Sequence, residues 1–346
     1  MKNRSTRRFY FALTERCNLH CSHCFNQSGE REDTDDLTTD QALNVIDAAC
    51  REGYECMQLT GGEALLRRDI FDIIRHIHAR GMLVSIQTNG VIGKKVMAAL
   101  MLLDAGRTEF IVSLDGIRTH SAFRGREAML QTMASIRQLS PLFPLRINSL
   151  LSAHISRQEV GAVIDLAYSV NASVAFNPVC LSGRGKAADV MGCADYFARM
   201  IELQRQGGVR IRKGFDYADG SFRETEDCPV RKGTAIFVSH NGDCYPCGFL
   251  EVHKELCMGN LVALRYDLKQ VFRNYPVTCR KVTDACLSCA YYLSRHCFAG
   301  CPARIFAANN TFDAREIYCM KAYYLLNEHK KNGESTLPGS TGMERS

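Results

Sequence analysis

The stretch Cys17-Asn-Leu-His-Cys21-Ser-His-Cys24-Phe25 places three cysteines within eight residues, shortly after an apolar run at residues 9–13. Three thiolates at this spacing predict ligands for three irons of a [4Fe–4S] cluster, with the fourth iron left open for a substrate or cofactor. A purely structural cluster would use a fourth cysteine. A structural zinc site, the alternative, usually adds a second cysteine pair. The stretch therefore favours an iron–sulfur cluster that binds a ligand.

On both sides of this stretch, short apolar runs alternate with longer amphipathic segments as far as about residue 207. The apolar runs predict strands at residues 9–13, 57–60, 83–88, 110–114, 145–150 and 174–179. The amphipathic segments predict helices at residues 40–52, 68–80, 94–105, 127–139, 158–169 and 195–206, with Asp40 as the N-cap of the first. Six strand–helix units in order predict a parallel sheet, and hence an α/β fold with a partial (β/α)6 barrel. Its active site is expected at the carboxyl ends of the strands.

The cysteine stretch, followed by an aromatic residue, resembles the signature of the radical S-adenosylmethionine (SAM) superfamily. Segments at the ends of later predicted strands resemble other motifs of that family. They are Thr60-Gly61-Gly62-Glu63, Thr88-Asn89-Gly90, Ser113-Leu114-Asp115-Gly116, Arg124 with its neighbours, and Gly183-Arg184-Gly185. The resemblance covers roughly residues 7 to 210. It implies that a reduced cluster cleaves SAM and that the 5′-deoxyadenosyl radical abstracts a hydrogen atom from the substrate.

The same resemblance implies roles for individual residues. Cys17, Cys21 and Cys24 would ligate the cluster, and the backbone of His23 would contact adenine. The other implied SAM-binding residues are Gly61, Gly62 and Glu63 near the methionine moiety, Asn89, Ser113 and Asp115 near the ribose and carboxylate, and Arg124 as the partner of the carboxylate.

Ten of the 17 cysteines lie between Cys228 and Cys319, spaced as in the SPASM domain, an auxiliary iron–sulfur module. One gap differs, because seven residues rather than five precede Cys297. The resemblance implies two auxiliary [4Fe–4S] clusters. One would be fully ligated by Cys286, Cys289, Cys297 and Cys319. The other would be held by Cys228, Cys247 and Cys301, with its fourth ligand left open between Cys244, the nearest, Cys257, Cys279 or none. Two zinc sites are the alternative.

The four cysteines outside these groups, Cys50, Cys56, Cys180 and Cys193, are interpreted as small buried hydrophobic residues. The composition, 46% hydrophobic and 23% charged with a net charge of +6, predicts neither a membrane span nor a nucleic-acid surface. The N-terminal apolar run is too short for a signal peptide, and free cysteines favour the reducing cytoplasm.

The predicted domains are a radical SAM barrel at 7–215, a SPASM domain at 216–326 and a disordered tail at 327–346. Gly, Asp and Pro are frequent in the second domain and its helical periodicity is weak. We therefore expect it to bury little apolar surface and to depend on its metal for stability.

Together these features predict a radical SAM oxidoreductase that oxidises or cross-links a peptide or protein substrate. The alternatives are formylglycine formation as in anaerobic sulfatase maturation, oxidation of a small biosynthetic intermediate, and a non-enzymatic iron–sulfur carrier. Since few residues precede Cys17, a separate leader-recognition protein is a possible partner, and flavodoxin or ferredoxin a possible electron donor. The sequence leaves open the substrate, the bond formed, the oligomeric state and the catalytic base. Candidates for polar residues near the substrate are His120, Asp216, Tyr217, Asp219 and Tyr245.

Overall fold

The computed structural model describes residues 7–30, 35–187, 190–205, 228–294 and 297–319, together with 321, 322 and 325. The predicted tail at 327–346 and the candidates Asp216, Tyr217 and Asp219 lie outside the described residues. Within the described part, none of the helices has both the length and the apolar character that crossing a membrane requires.

Six parallel strands follow one another across the sheet in chain order, which confirms the predicted partial barrel. They are β1 Arg8–Ala12, β2 Cys56–Thr60, β3 Leu83–Thr88, β4 Thr108–Ser113, β5 Leu145–Leu151 and β6 Ser173–Pro178. The helices of this part are α1 Thr39–Arg51, α2 Ile70–Ala79, α3 Lys94–Leu100, α4 Arg118–Arg124, α5 Arg126–Leu139, α6 Arg157–Ser169 and α7 Cys193–Arg205. Each strand lies within two residues of its predicted bounds.

The cysteine-rich part adds a hairpin to this sheet. β7, Phe237–Val238, pairs parallel to β1, and β8, Cys244–Tyr245, pairs antiparallel to β7. The sheet therefore has eight strands in the order β6-β5-β4-β3-β2-β1-β7-β8. The helices that follow are α8 Pro229–Lys232, α9 Leu268–Arg273, α10 Asp284–Leu287, α11 Ala290–Leu293 and α12 Pro302–Asn309.

The expectation that the cysteine-rich part buries little apolar surface is wrong. Leu250, Met258, Leu261 and Val271 are all fully buried, and they belong to the same hydrophobic core as the barrel strands. These residues lie in short helices and turns, where burial leaves no periodic signal in the sequence. Packing against the barrel, and not metal alone, therefore stabilises this part.

Two helices begin at capping boxes that the sequence analysis did not identify. The N-cap of α1 is Thr38 rather than Asp40, because the Thr38 hydroxyl accepts from the backbone of Gln41 while the Gln41 side chain accepts from the Thr38 N–H. Ser156 and Glu159 form the same reciprocal pair at the start of α6. This motif satisfies N–H groups that a helix start leaves without partners. α3 is shorter than predicted and ends at Leu100.

The sheet curves so that one face forms a concave surface. Arg8 on β1 donates to Glu109 on β4 at 2.7 Å, past two intervening strands, and also contacts Cys56 on β2 at 3.4 Å. Because side chains alternate along a strand, the register places further residues on this face. They include Tyr10, Gln58, Ser85, Gln87, Asn148 and Asn177. The concave face is thus polar across its middle.

The shared core predicts that removing a buried side chain from the cysteine-rich part destabilises the whole protein. We expect Leu261→Ala to lower the free energy of unfolding by about 2–5 kcal/mol, since it leaves a cavity. Leu102→Ala, at a side chain that is 87% exposed, should change it by less than about 0.5 kcal/mol. Urea denaturation followed by circular dichroism measures both, and equal midpoints for the two variants would refute the shared core.

Candidate active site and metal centres

The cysteine loop, residues 17–25, follows β1 and is held by the turn after β6. The backbone N–H of Arg184 donates to the carbonyl of Cys24 at 2.9 Å. The Arg184 guanidinium donates to the carbonyls of Cys21 and Ser28, each at 2.8 Å, and pairs with Glu30 at 2.8 Å. The sequence marked this Gly-Arg-Gly turn without assigning a role. The turn positions the backbone that carries the three thiols.

No side chain fits at the two glycines of this turn. A Cβ at Gly183 would lie 2.4 Å from the carbonyl oxygen of Phe25, and one at Gly185 would lie 2.3 Å from that of Cys180. Glycine is therefore required here because backbone packs directly on backbone.

The glycine pair at the end of β2 plays a similar part. A Cβ at Gly61 would lie 2.4 Å from the carbonyl oxygen of Thr14, and one at Gly62 would lie 2.3 Å from that of Arg16. The N–H of Gly62 donates to Thr14 and that of Glu63 to Arg16. The pair thus seats the start of the cysteine loop against the sheet, a role the sequence analysis had not given it.

Glu63 and Asn89 form a buried connection to Cys17. The Glu63 carboxylate accepts from the Asn89 N–H at 2.8 Å and the Thr88 hydroxyl at 3.0 Å. The Asn89 side chain then donates to Asn18 at 2.8 Å and contacts the Cys17 sulfur at 3.8 Å. Burial raises the pKa of Glu63 to about 7. Glu63 therefore supports the turn after β3, which sequence reasoning missed.

Arg124 and Asp115 form a buried ion pair beside the cysteine loop. The Arg124 guanidinium donates to Asp115 at 2.7 Å, lies 3.0 Å from the His23 ring, and contacts the Cys21 sulfur at 3.8 Å. The other Asp115 oxygen accepts from the Leu150 N–H at 3.0 Å. Burial alone would raise the pKa of Asp115, but the charge of Arg124 holds it below its usual value. Asp115 thus orients Arg124 and is not exposed for contact with a ribose.

Two buried histidines lie next to this pair. Burial lowers the pKa of both His23 and His120 to about 4, so both rings are neutral at physiological pH. His120 accepts from the Asp115 N–H at 3.2 Å. His23 Nδ1 is buried without a hydrogen-bond partner. His120 Nε2 is likewise buried without a hydrogen-bond partner. Each ring therefore leaves one buried nitrogen available to a bound group, while His120 Nδ1 holds the turn after β4.

The structure brings four predicted ligands to one cavity. Cys286, Cys289, Cys297 and Cys319 line a cavity of ≈ 260 Å³, together with Tyr291, Tyr292, Arg315 and Lys321. Two of the lining side chains, Arg315 and Lys321, are cationic, which complements thiolates. This donor set fits an iron–sulfur cluster.

A third group of cysteines caps short helices. Cys228, Cys247 and Cys301 are the N-cap residues of α8, of the 3-10 helix Gly248–Leu250 and of α12. The thiol of Cys247 lies within electrostatic reach of those of Cys301 and Cys228. The N-terminus of a helix favours a thiolate.

The structure does not bring Cys244 to this group. Its sulfur contacts the carbonyl of Gly242 at 3.6 Å, and its neighbouring thiol is Cys257. Cys244 is fully buried in the main core, while Tyr245 packs with Ala12 and Phe237 in a second cluster.

Within the described residues, no three His, Cys, Asp or Glu side chains converge closely enough to share one metal ion. The thiolates of a four-iron cluster bind separate corners and stand further apart than the ligands of one zinc ion. Burial raises the pKa of Cys17, Cys297 and Cys228 to about 11 each. These thiols therefore need a nearby positive charge, which a cluster would supply, to become thiolates.

The partial barrel with three cysteines after its first strand defines a class of enzymes, and comparison with known proteins identifies it. Residues 11–167 match the radical SAM superfamily. The chain is 30% identical to the AdoMet-dependent heme synthase of Methanosarcina barkeri, over 89% of this chain and 94% of that protein. The chain belongs to the radical SAM superfamily. It is an enzyme that uses SAM and a [4Fe–4S] cluster.

Other relatives match along most of the chain. The mycofactocin maturase MftC of Mycobacterium ulcerans is 27% identical, over 90% of this chain and 87% of its own. Among solved structures, anSMEcpe with bound AdoMet superposes with a TM-score of 0.74 and 17% identity, covering 94% of this chain and 98% of that one. Streptococcus suis SuiB bound to its precursor peptide SuiA gives 0.71 and 18%, covering 90% and 75%. These structures share the fold of both parts of the chain.

Because the Arg184 guanidinium holds the cysteine loop through hydrogen bonds, we expect that a lysine at this position does not hold the loop in place. Arg184→Lys loses the guanidinium bonds to Cys21 and Ser28, and charged hydrogen bonds contribute about 1.5–3 kcal/mol each. We expect 5′-deoxyadenosine formation to fall on the order of tenfold or more. Arg51→Lys, on an exposed side chain, should leave the rate unchanged. Anaerobic chromatography of the nucleoside measures both, and a full rate in Arg184→Lys would show that the turn does not position the loop.

Proposed function

We propose that this protein is a peptide-maturing radical SAM enzyme that oxidises or cross-links a peptide. The observation that carries the proposal is the extent of the likeness to mycofactocin maturases, which covers 90% of the chain and so includes the cysteine-rich part. SuiB, whose fold this chain shares, was crystallised with a precursor peptide. The proposed domains are a radical SAM barrel at 7–215 and a SPASM domain at 216–326.

Cys17, Cys21 and Cys24 are the proposed ligands of the SAM-binding cluster. When bound there, SAM and the reduced cluster would supply the radical chemistry that removes a hydrogen atom from the substrate. Asp115 takes the Nε–H of Arg124 and orients the guanidinium, which leaves Nη1, beside the Cys21 sulfur, as the proposed donor to the SAM carboxylate. The cysteine loop is surrounded by His23 Nδ1, which is buried without a hydrogen-bond partner, and by the glycines at 61, 62, 183 and 185. These residues would form the wall of the proposed SAM site.

The concave face of the sheet is the proposed substrate site. It carries neutral amides, with Gln58 on β2 donating to Gln87 on β3 at 3.2 Å and, beyond β4, Asn148 on β5 and Asn177 on β6. Arg146 lies on the same face of β5 as Asn148. The hairpin of the cysteine-rich part continues this face, because Phe237 is in register with Tyr10. Amides and aromatic rings can pair with peptide groups and side chains without burying a charge. This surface suits a peptide segment.

The cysteine-rich part is proposed to hold two auxiliary [4Fe–4S] clusters, one on the four cysteines around the cavity and one near Cys228, Cys247 and Cys301. Removing a hydrogen atom leaves a substrate radical. This radical must lose one more electron to give a two-electron oxidised product. The auxiliary clusters would supply an acceptor for that second electron. Partners consistent with this chemistry are a separate leader-recognition protein and a flavodoxin or ferredoxin that reduces the first cluster.

Formylglycine formation is disfavoured by the residue after Cys247. A resemblance to anaerobic sulfatase-maturing enzymes would imply an aspartate directly after this cysteine, serving as the base. This chain has Gly248 at that position. A Cβ at Gly248 would lie 2.9 Å from the ring of Phe237, so a carboxylate base does not fit without a shift of that ring.

A small-molecule substrate is the second candidate, because the heme synthase relative is 30% identical over 94% of its length. A porphyrin carries several carboxylates, which a cationic site would bind. On the concave face Arg8 is already paired with Glu109, whereas Arg146 on β5 has a buried Nε without a hydrogen-bond partner. The peptide is favoured instead by the likeness to mycofactocin maturases and to SuiB with its bound precursor peptide.

Iron content tests the proposed clusters. Anaerobically reconstituted protein should hold about 12 irons, and Cys17→Ala with Cys21→Ala and Cys24→Ala should hold about eight. The triple variant should form no 5′-deoxyadenosine, since the electron that cleaves SAM comes from the lost cluster. Iron analysis and nucleoside chromatography measure this. Tightly bound zinc with about four irons would exclude the auxiliary clusters, and continued SAM cleavage would exclude the three ligands.

Substrate choice separates the two candidate functions. The probes are synthetic copies of peptides encoded by short reading frames beside this gene and, separately, an iron porphyrin that carries carboxylates. We expect one peptide to increase 5′-deoxyadenosine formation and to lose hydrogen in a SAM-dependent reaction seen by mass spectrometry. The triple cysteine variant is the control. A porphyrin that changes mass in a SAM-dependent reaction while every peptide stays unchanged would replace the proposal with the second candidate.

A further inference from the structure

We propose that Cys180, just after β6 of the barrel, is the fourth ligand of the auxiliary cluster held by Cys228, Cys247 and Cys301. This inference rests on the proposed auxiliary clusters and assigns a ligand outside the SPASM cysteines. It also replaces the sequence-based choice of Cys244, and it gives a role to a cysteine that the sequence interprets as a small hydrophobic residue.

The first observation is the position of the thiol. Cys247 lies within electrostatic reach of the thiols of Cys301, Cys228 and Cys180, and Cys180 in turn lies within reach of Cys301. Cys180 is 6% exposed, and Cys301 is 3% exposed. Cys228 is likewise within reach of Cys301. Packing joins the segments of Cys180 and Cys247, because a Cβ at Gly183 would lie 2.4 Å from the carbonyl oxygen of Phe25, whose ring lies 5.0 Å from that of Phe249. The four thiols therefore lie near one another in one buried region.

The second observation is a hydrogen-bond pattern at the sulfur. Cys180 accepts from the N–H of Ser182, two residues further along the chain. Cys247 accepts in the same way from Phe249, Cys301 from Ala303 and Cys228 from Val230. Backbone N–H groups that point at sulfur stabilise thiolates and tune the potential of clusters. Cys180 thus has the local backbone of its three proposed co-ligands.

The third observation is a buried cation at the same place. Arg304 on α12 is 4% exposed, and its charge lies close enough to act on the thiols of both Cys180 and Cys301. Glu316 pairs with Arg304 at 3.1 Å and accepts from the Cys301 N–H at 2.8 Å. The arrangement parallels the one at Cys21, where Arg124 contacts the sulfur and Asp115 holds Arg124.

The other candidates match less well. Cys244 and Cys257 neighbour each other, and Cys244 takes its backbone hydrogen bond from Leu261 rather than from a residue two positions on. Cys279 is fully buried and lies near Cys228. Cys180 is tied to two of the co-ligands, Cys247 and Cys301.

Ligation by Cys180 would connect this auxiliary cluster to the cysteine loop that carries the proposed SAM-binding cluster. The turn from Cys180 to Gly185 packs on the cysteine loop, with a Gly183 Cβ position 2.6 Å from the carbonyl of Cys24. Phe249, two residues after Cys247, contacts the ring of Phe25 at 5.0 Å. The auxiliary cluster would therefore join the barrel to the cysteine-rich part. With four thiolates it would have no open iron, so it would accept electrons and not bind substrate.

The test uses the full chain carrying Cys17→Ala, Cys21→Ala and Cys24→Ala as the parent, so that only auxiliary clusters contribute. To this parent we add Cys180→Ala, Cys180→Ser, Cys244→Ala or Cys279→Ala. An iron corner without its thiolate is lost on mild oxidation. We therefore expect Cys180→Ala to lose about one iron per chain and to show the EPR signal of a three-iron cluster. The Cys244 and Cys279 variants should match the parent.

Cys180→Ser keeps the size of the side chain and an oxygen ligand. It should keep its iron and shift the EPR signal of the reduced cluster, so the inference stays testable if Cys180→Ala does not fold. Parental iron and spectra in both Cys180 variants would overturn the inference while leaving the auxiliary clusters intact, as would a three-iron signal from Cys279→Ala instead. A parent without iron would overturn the auxiliary clusters and this inference with them.

Discussion

The structure depends on direct packing of backbone on backbone between the turn after β6 and the cysteine loop after β1. Where a Cβ at Gly183 would come within 2.4 Å of the Phe25 carbonyl, no residue but glycine fits. Arg184, between the two glycines, then reaches the carbonyls of Cys21 and Ser28. The contact joins the first and last strands of the open barrel, and so sets where three thiols stand relative to the concave face.

Buried charge organises the rest of the site by the same means in two places. Arg124 with Asp115 lies at the cysteine loop, and Arg304 with Glu316 lies at the start of α12. In each pair the carboxylate orients an arginine that faces thiols whose pKa burial has raised. Forming a buried ion pair adds little net stability, because both charges lose their hydration, but removing one partner is costly, because the other charge stays buried. These pairs therefore fix the positions of the arginines beside the thiols.

The sequence predicted the barrel well, because strand periodicity and cysteine spacing are local features. It could not assign Asp115, since only the fold shows that Arg124 and the Leu150 N–H occupy both of its oxygens. Nor could it place Cys180 beside Cys247. The packing of the cysteine-rich part on the barrel brings these two residues together, and their spacing along the sequence does not show it. The Ser156–Glu159 capping box was visible in the sequence and was missed, whereas the buried residues of the cysteine-rich part leave no periodic pattern.

The central claim is that one fold brings three groups of thiols to three iron–sulfur clusters, one of which bridges the barrel and the cysteine-rich part. An anaerobic crystal structure of the reconstituted enzyme, with iron located by anomalous scattering, tests it most directly. The account predicts three iron peaks, at Cys17 with Cys21 and Cys24, at Cys286 with Cys289, Cys297 and Cys319, and at Cys180 with Cys228, Cys247 and Cys301. Zinc in the cysteine-rich part, or an iron site there that leaves Cys180 unligated, would contradict it.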